Sequence, residues 1–241
     1  MRAQVRHQLK QDAFSRVTIQ AAEKTANWSV EHRSTVIYGI AAVAIVLAAL
    51  IGGWYYLSTQ NEKASLELSK AVRTMDIPLR PPSQPAQPDY PTFTSAKERS
   101  EAARQQFQEI VKNYPHTSTA DMARYFVGVT DSDLGDTSAA ERSFKETAKS
   151  GNRDLAAVAK LALAQLYGNT KRVKEAVAIY QELENKPTNS VSKATAELQL
   201  AELYQASNQP LDAKRLFEQI KKDDPTGEAG QLAQQKLAEL K

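Results

Sequence analysis

The chain of 241 residues contains no cysteine. That excludes disulfide staples, a thiol nucleophile, a thiolate metal site and a lipidated N-terminal cysteine, and leaves the redox compartment open. Histidine is nearly as scarce: His7, His32 and His116 lie in separate regions, and no pair has metal-ligand spacing. The nine glycines are scattered, so no glycine-rich phosphate loop forms, and no G-x-S-x-G elbow occurs. A surplus of one charge is missing as well. Residues 1–35 hold six of the 31 Lys and Arg (Arg2, Arg6, Lys10, Arg16, Lys24, Arg33) and three of the 28 acids (Asp12, Glu23, Glu31). The rest of the chain therefore carries 25 of each sign, without the electrostatic footprint of a nucleic-acid binder. Asp131, Asp133 and Asp136 cluster in what reads as a turn between helices, where helix capping is the first reading and a weak cation site the second. The expectation is no enzyme: no catalytic residue, cofactor, metal or small-molecule substrate.

Long apolar runs are absent too, with one exception. Mean hydropathy is −0.51, yet Val36 to Leu57 (VIYGIAAVAIVLAALIGGWYYL) has no charged residue and no proline. As a helix it rises roughly 33 Å, enough for a hydrocarbon layer of about 30 Å, and only a helix satisfies its backbone groups there. Tyr38 at one end and Trp54, Tyr55 and Tyr56 at the other suit the two interfaces. A buried core helix of a soluble protein is the competing reading. A cleavable signal fits poorly, because the lead is long and no small-x-small site follows the run. The basic bias of the lead places residues 1–35 inside and 58–241 outside a membrane.

The pattern divides the chain into a lead (1–35), a transmembrane helix (36–57), a post-membrane helix (58–76), a proline-rich loop (77–95) and a helical domain (96–241). In the lead, Val5, Leu9, Ala13, Val17 and Ala21 form an i, i+4 stripe, which fits a helix on an anionic leaflet or a basic disordered tail. Within the run, Ala44, Ala48 and Gly52 stand four apart, a spacing that lets another helix approach and that alanine-rich spans also produce by chance. Ala64, Leu68, Ala71, Val72 and Met75 share one helical face. Six of the ten prolines fall between Ile77 and Ser95, so that segment reads as an extended loop, with a docking peptide as the lesser reading.

The remainder repeats. Ala103-Phe107-Ile110, Ala140-Phe144-Thr147, Ala176-Tyr180-Leu183 and Ala213-Phe217-Ile220 share one pattern, with the alanines 37, 36 and 37 residues apart. A second signature precedes three of them: Val127-Gly128, then Leu163-Ala164 with Tyr167, then Leu200-Ala201 with Tyr204. Asp131 stands where the first tyrosine is expected. This resembles the tetratricopeptide repeat (TPR), whose pattern is W-x2-L-G-x2-Y, then A-x3-F, then P. The expected fold is all-α: one N-terminal transmembrane helix, then a TPR-like α-solenoid of about four degenerate helix pairs. The small residues let two helices approach, and the large ones fill the space toward the next pair. Arg124, Lys160 and Glu197 occupy the tryptophan position. Residues 61–75 are expected to supply the first helix of the first pair, and Glu228 to Leu240 a capping helix with Leu232, Ala233 and Leu237 inward.

The resemblance implies that the first helix of each pair lines a concave face. Candidate groove residues are Met122, Tyr125 and Val129, then Val158, Leu161 and Gln165, then Leu198, Glu202 and Gln205. That lining lacks the Lys/Asn/Arg set of carboxylate-clamping members, so an apolar or amphipathic protein segment is the expected guest. The same residues also fit plain packing between helices, or cover by residues 58–75. Lead, span and outward repeat domain together resemble the bacterial family that includes the ancillary translocon subunit YfgM and the cell-division coordinator CpoB. That resemblance implies an inner-membrane protein with a periplasmic domain, and partners among the SecYEG translocon, periplasmic chaperones and secreted chains. An envelope assembly scaffold for division or pilus machinery and a soluble periplasmic coordinator stay open.

Overall fold

The computed structural model describes residues 32–81, 83 and 92–240. The expected amphipathic stripe in the lead and most of the proline-rich loop lie outside these residues. Among the described residues the chain is all-α, with nine helices and one isolated bridge, Leu79 to Phe93. Two compact units divide it, Met1–Tyr56 and Leu57–Lys241.

Helix α1 runs Arg33–Asp76, so the apolar run and the amphipathic stretch after it form one helix rather than two. In the first unit Ile37, Ile40, Leu47, Leu50, Ile51 and Trp54 all stand exposed. The helix is long and apolar enough, by length and composition, to cross a membrane.

In the second unit, α1 is followed by α2 (Ala96–Asn113), α3 (Ser118–Asp133), α4 (Thr137–Thr147), α5 (Arg153–Asn169), α6 (Val173–Asn185), α7 (Lys193–Ala206), α8 (Pro210–Asp223) and α9 (Glu228–Glu239). Local chemistry sets the starts. Ser95, Thr117, Asp136, Asn152 and Ser192 each cap a helix by accepting a hydrogen bond from a first-turn amide. The hairpin turns repeat in backbone detail. Gly135, Lys171 and Asn208 all take positive φ, at 79°, 62° and 59°. The next amide then reaches back to the same place each time: Asp136 N to Asp131 O (2.9 Å), Arg172 N to Tyr167 O (2.8 Å) and Gln209 N to Tyr204 O (2.9 Å). This is a Schellman-type stop, which turns one helix of a pair back on the other.

Ala103, Ala140, Ala176 and Ala213 are all fully buried, so helix axes come close at each. Phe107, Phe144, Tyr180 and Phe217 bury their rings beside them, followed by Ile110, Thr147, Leu183 and Ile220. At Gly128 there is no room for a side chain: a Cβ would lie 2.6 Å from the Phe144 ring, whereas the next two pairs carry Ala164 and Ala201. The later part of α1 packs into the same layer, with Ala64 and Ala71 buried beside Ala103, Phe107 and Val127, and Leu68, Val72 and Met75 against them. Its polar edge is bonded: Thr74 donates to Gln106 (2.9 Å), Tyr114 donates to Glu67 (2.9 Å), and Asn61 accepts from Ser118 and Thr119.

Two expectations change. Leu232 of α9 faces outward, and the inward face is Ala229, Ala233, Leu237 and Leu240. Asp131 is not in the turn but buried in the last turns of α3, where Arg104 of α2 reaches it at 3.4 Å. Asp136 alone of that cluster acts as an N-cap.

Candidate partner-binding surface

Helix α3 also touches α5, and α7 touches α9, so the first helices of successive pairs lie side by side. The candidate groove residues fall along this row in two chemically different stretches. Met122 is exposed, whereas Tyr125, Val129, Val158 and Leu161 are half-buried and rest on the central core. The Tyr125 ring meets Phe126 edge-on at 5.4 Å and Phe144 at 5.8 Å, and burial raises its phenol pKa. These side chains pack against the core and keep part of their surface exposed.

The second stretch is polar. Gln165 donates to Gln199 (2.8 Å), and Gln199 donates to Glu202 (2.9 Å), an amide row ending in a carboxylate. It opens onto a cavity of about 680 Å³, lined among others by Gln165, Tyr180, Gln199, Glu202 and Leu203. Burial and the charge of Glu202 push the Tyr180 phenol up to about 12. Leu198 turns instead toward the core formed with α8 and α9. The apolar lining expected over the whole row therefore holds only for its first half. Gln199 was absent from the candidates, although its i, i+3 spacing from Glu202 already put the two on one face.

The degenerate tryptophan positions carry polar links. Lys160 of α5 pairs with Glu182 of α6 at 2.8 Å. Glu197 of α7, buried, is reached by Lys193 (3.2 Å) and by Gln219 of α8 (3.4 Å), while burial raises its pKa. Arg124 turns to Asp121 of its own helix at 2.7 Å. Among the described residues no group of three His, Cys, Asp or Glu is placed to hold a metal ion.

Pairs of helices at a 36- to 37-residue period, small against large at each crossing, point to one architecture. The family model for the tetratricopeptide repeat-like domain matches residues 26–241. The chain belongs to that family. The matched stretch takes in the apolar helix as well as the repeats, and domains of this class are in general non-catalytic modules that bind other proteins. No curated protein matches the chain.

Proposed function

We propose that this tetratricopeptide repeat-like chain is a membrane-anchored interaction module that captures an apolar or amphipathic segment of a protein partner on its row of first helices. The observation that carries the reading is the division of that row. Half-buried Tyr125, Val129, Val158 and Leu161 offer apolar area, and the Gln165–Gln199–Glu202 row beyond them offers hydrogen bonds to a polar continuation. The anchor is α1, whose exposed Ile, Leu and Trp side chains favour hydrocarbon over water. The basic lead supports a cytoplasmic N-terminus and an outward, periplasmic repeat domain. The architectural resemblance supports an ancillary role at the translocon, with chaperones and secreted chains as partners; an envelope scaffold is the second reading, supported by the same architecture.

Two experiments test this. Alkaline extraction of membranes should leave the full-length chain in the pellet, and release into the soluble fraction would remove the anchor. Photo-crosslinkers at Met122 and Gln165, both exposed, should capture the same partner in intact membranes, and Met122→Asp with Gln165→Glu should abolish capture without lowering the unfolding temperature. Translocon subunits or secreted chains among the products support the first role, and division or pilus proteins the second. Capture unchanged by both substitutions would rule out this face.

A further inference from the structure

A second surface lies apart from the groove candidates. It is built from α2, α3 and α4 and shares no lining residue with the groove candidates, which neither require nor imply it. Between α2, α3 and α4 is a slot of about 310 Å³, floored by Val111 and Val127 and edged by Lys112, Arg124, Arg142 and Ser143. That volume is at the lower end of ligand-pocket sizes, about 300–1,000 Å³, and enough for one large side chain.

The repeats themselves show why the slot is open. Ser143 follows Ala140 by three residues, and the residues at the same register in the next two pairs are Ile179 and Leu216. Both of those are half-buried against the core. The polar lid differs in the same way. At the register of Arg124 and Glu146, the next pair closes with Lys160 to Glu182 at 2.8 Å, and the last with Gln219 to Glu197 at 3.4 Å. In the slot the link between these two residues is replaced by separate local pairs. Arg124 pairs with Asp121 (2.7 Å) and Glu146 with Lys149 (2.8 Å). The register carries Asp121 here but Ala157 and Ala194 in the later pairs, so only this pair offers Arg124 a carboxylate on its own helix.

The charge at the mouth has one sign in excess. Lys112 and Arg142 make no hydrogen bond or ion pair among the described residues, and Arg142 reaches Asp131 only through space. Among the described residues Glu146 is the one carboxylate on the rim, and Lys149 holds it. An apolar floor with unpaired cations beside it is complementary to a large apolar side chain flanked by carboxylates.

We propose that the slot between α2, α3 and α4 is a docking socket for an acidic segment of a protein partner, which inserts one large apolar side chain between Val111 and Val127. Lys112 and Arg142 then meet the flanking acids, and Ser143 leaves the space that Ile179 and Leu216 fill elsewhere.

The test uses the full chain in nonionic detergent and a capped fluorescent pentapeptide, one phenylalanine between two acidic pairs. Fluorescence anisotropy should show salt-sensitive binding, weakened roughly tenfold or more when alanine replaces the phenylalanine or lysines replace the acids. Ser143→Ile, which copies the later repeats, should abolish binding while the unfolding temperature stays level or rises. Lys112→Glu with Arg142→Glu, both exposed and unpaired, should abolish it without touching the floor. The proposal is overturned if the peptide does not bind at millimolar concentration, if the lysine version binds equally well, or if Ser143→Ile binds as tightly as the parent. Self-association that Ser143→Ile abolishes, read by sedimentation, would make a second copy the occupant and overturn it as well.

Discussion

Three junctions between successive helix pairs occupy the same register and are built from different materials. At the first, Asp131 of α3 is buried against Arg104 of α2. At the second, Tyr167 of α5 donates to Glu141 of α4 at 2.9 Å, Arg172 lies 3.9 Å over the Tyr167 ring and also bonds Glu141 (2.7 Å), and Lys145 completes the group (2.6 Å). At the third, Tyr204 and Val177 hold the corresponding places, both packed against the core. One position thus accepts an ion pair, a tyrosine–carboxylate network or an apolar contact, provided its partner on the preceding helix changes with it. The constraint acts on the pair of positions, and this is why Asp131 departs from the repeat pattern without breaking the stack.

The largest effect should come from breaking the first junction on one side. Arg104→Val leaves the Asp131 carboxylate buried without its partner, at a loss of about 3 kcal/mol in chemical unfolding. Adding Asp131→Tyr to Arg104→Val, which copies the third junction, should recover most of that. A double-mutant cycle without coupling would show that the two positions are independent. A smaller loss, about 2 kcal/mol, is expected for Gly128→Ala, because its Cβ would meet the Phe144 ring at 2.6 Å. The comparison sharpens if Ala164→Gly destabilises, since there the crossing is already spaced for a methyl group. At the second junction Tyr167→Phe removes one hydrogen bond to a charged acceptor and leaves the ring in place. The melting experiment should read about 1 kcal/mol, with Arg172 and Lys145 still holding Glu141.

Acid should act on the first two junctions in opposite directions. Lys145 first, with Arg172 and Tyr167, lowers the pKa of Glu141 from 4.5 to about 2. Its contribution is complete above 4.5 and is lost as pH falls toward 2. Burial raises the pKa of Asp131 above 3.8, although Arg104 opposes the shift. The folded form therefore holds that proton longer, and stability is lost as pH rises from 3.8 through the raised value. Amide exchange corrected for intrinsic rate should show α4–α5 opening more readily at about pH 2.5 than at about pH 5, and α2–α3 less readily. Parallel loss in both segments would remove the distinction.

Much of the architecture is legible in the sequence alone. The alanine period and the small–large crossings are local or strictly periodic signals, and each hairpin repeats them. What failed had no such period. Leu232 fits an inward stripe by spacing, yet it stands exposed, and Ala229, Ala233, Leu237 and Leu240 take the packed side. Asp131 looked like a member of an acidic turn because its neighbours Asp133 and Asp136 are close in sequence, whereas its partner Arg104 is a helix away. Helical face says which side chains share a row but not that Gln165, Gln199 and Glu202 bond to one another. Ser143 carried no signal at all until the positions of Ile179 and Leu216 gave it a meaning.

The sequence by itself determined the helix pairs, their register and the apolar run, because backbone hydrogen bonding and side-chain periodicity act within a few residues. Only the tertiary structure decided which equivalent positions bond across the pairs and which are left open. Those outcomes depend on distances between atoms on different helices, and residues at identical register, such as Arg124 and Lys160, choose different partners according to what stands within reach.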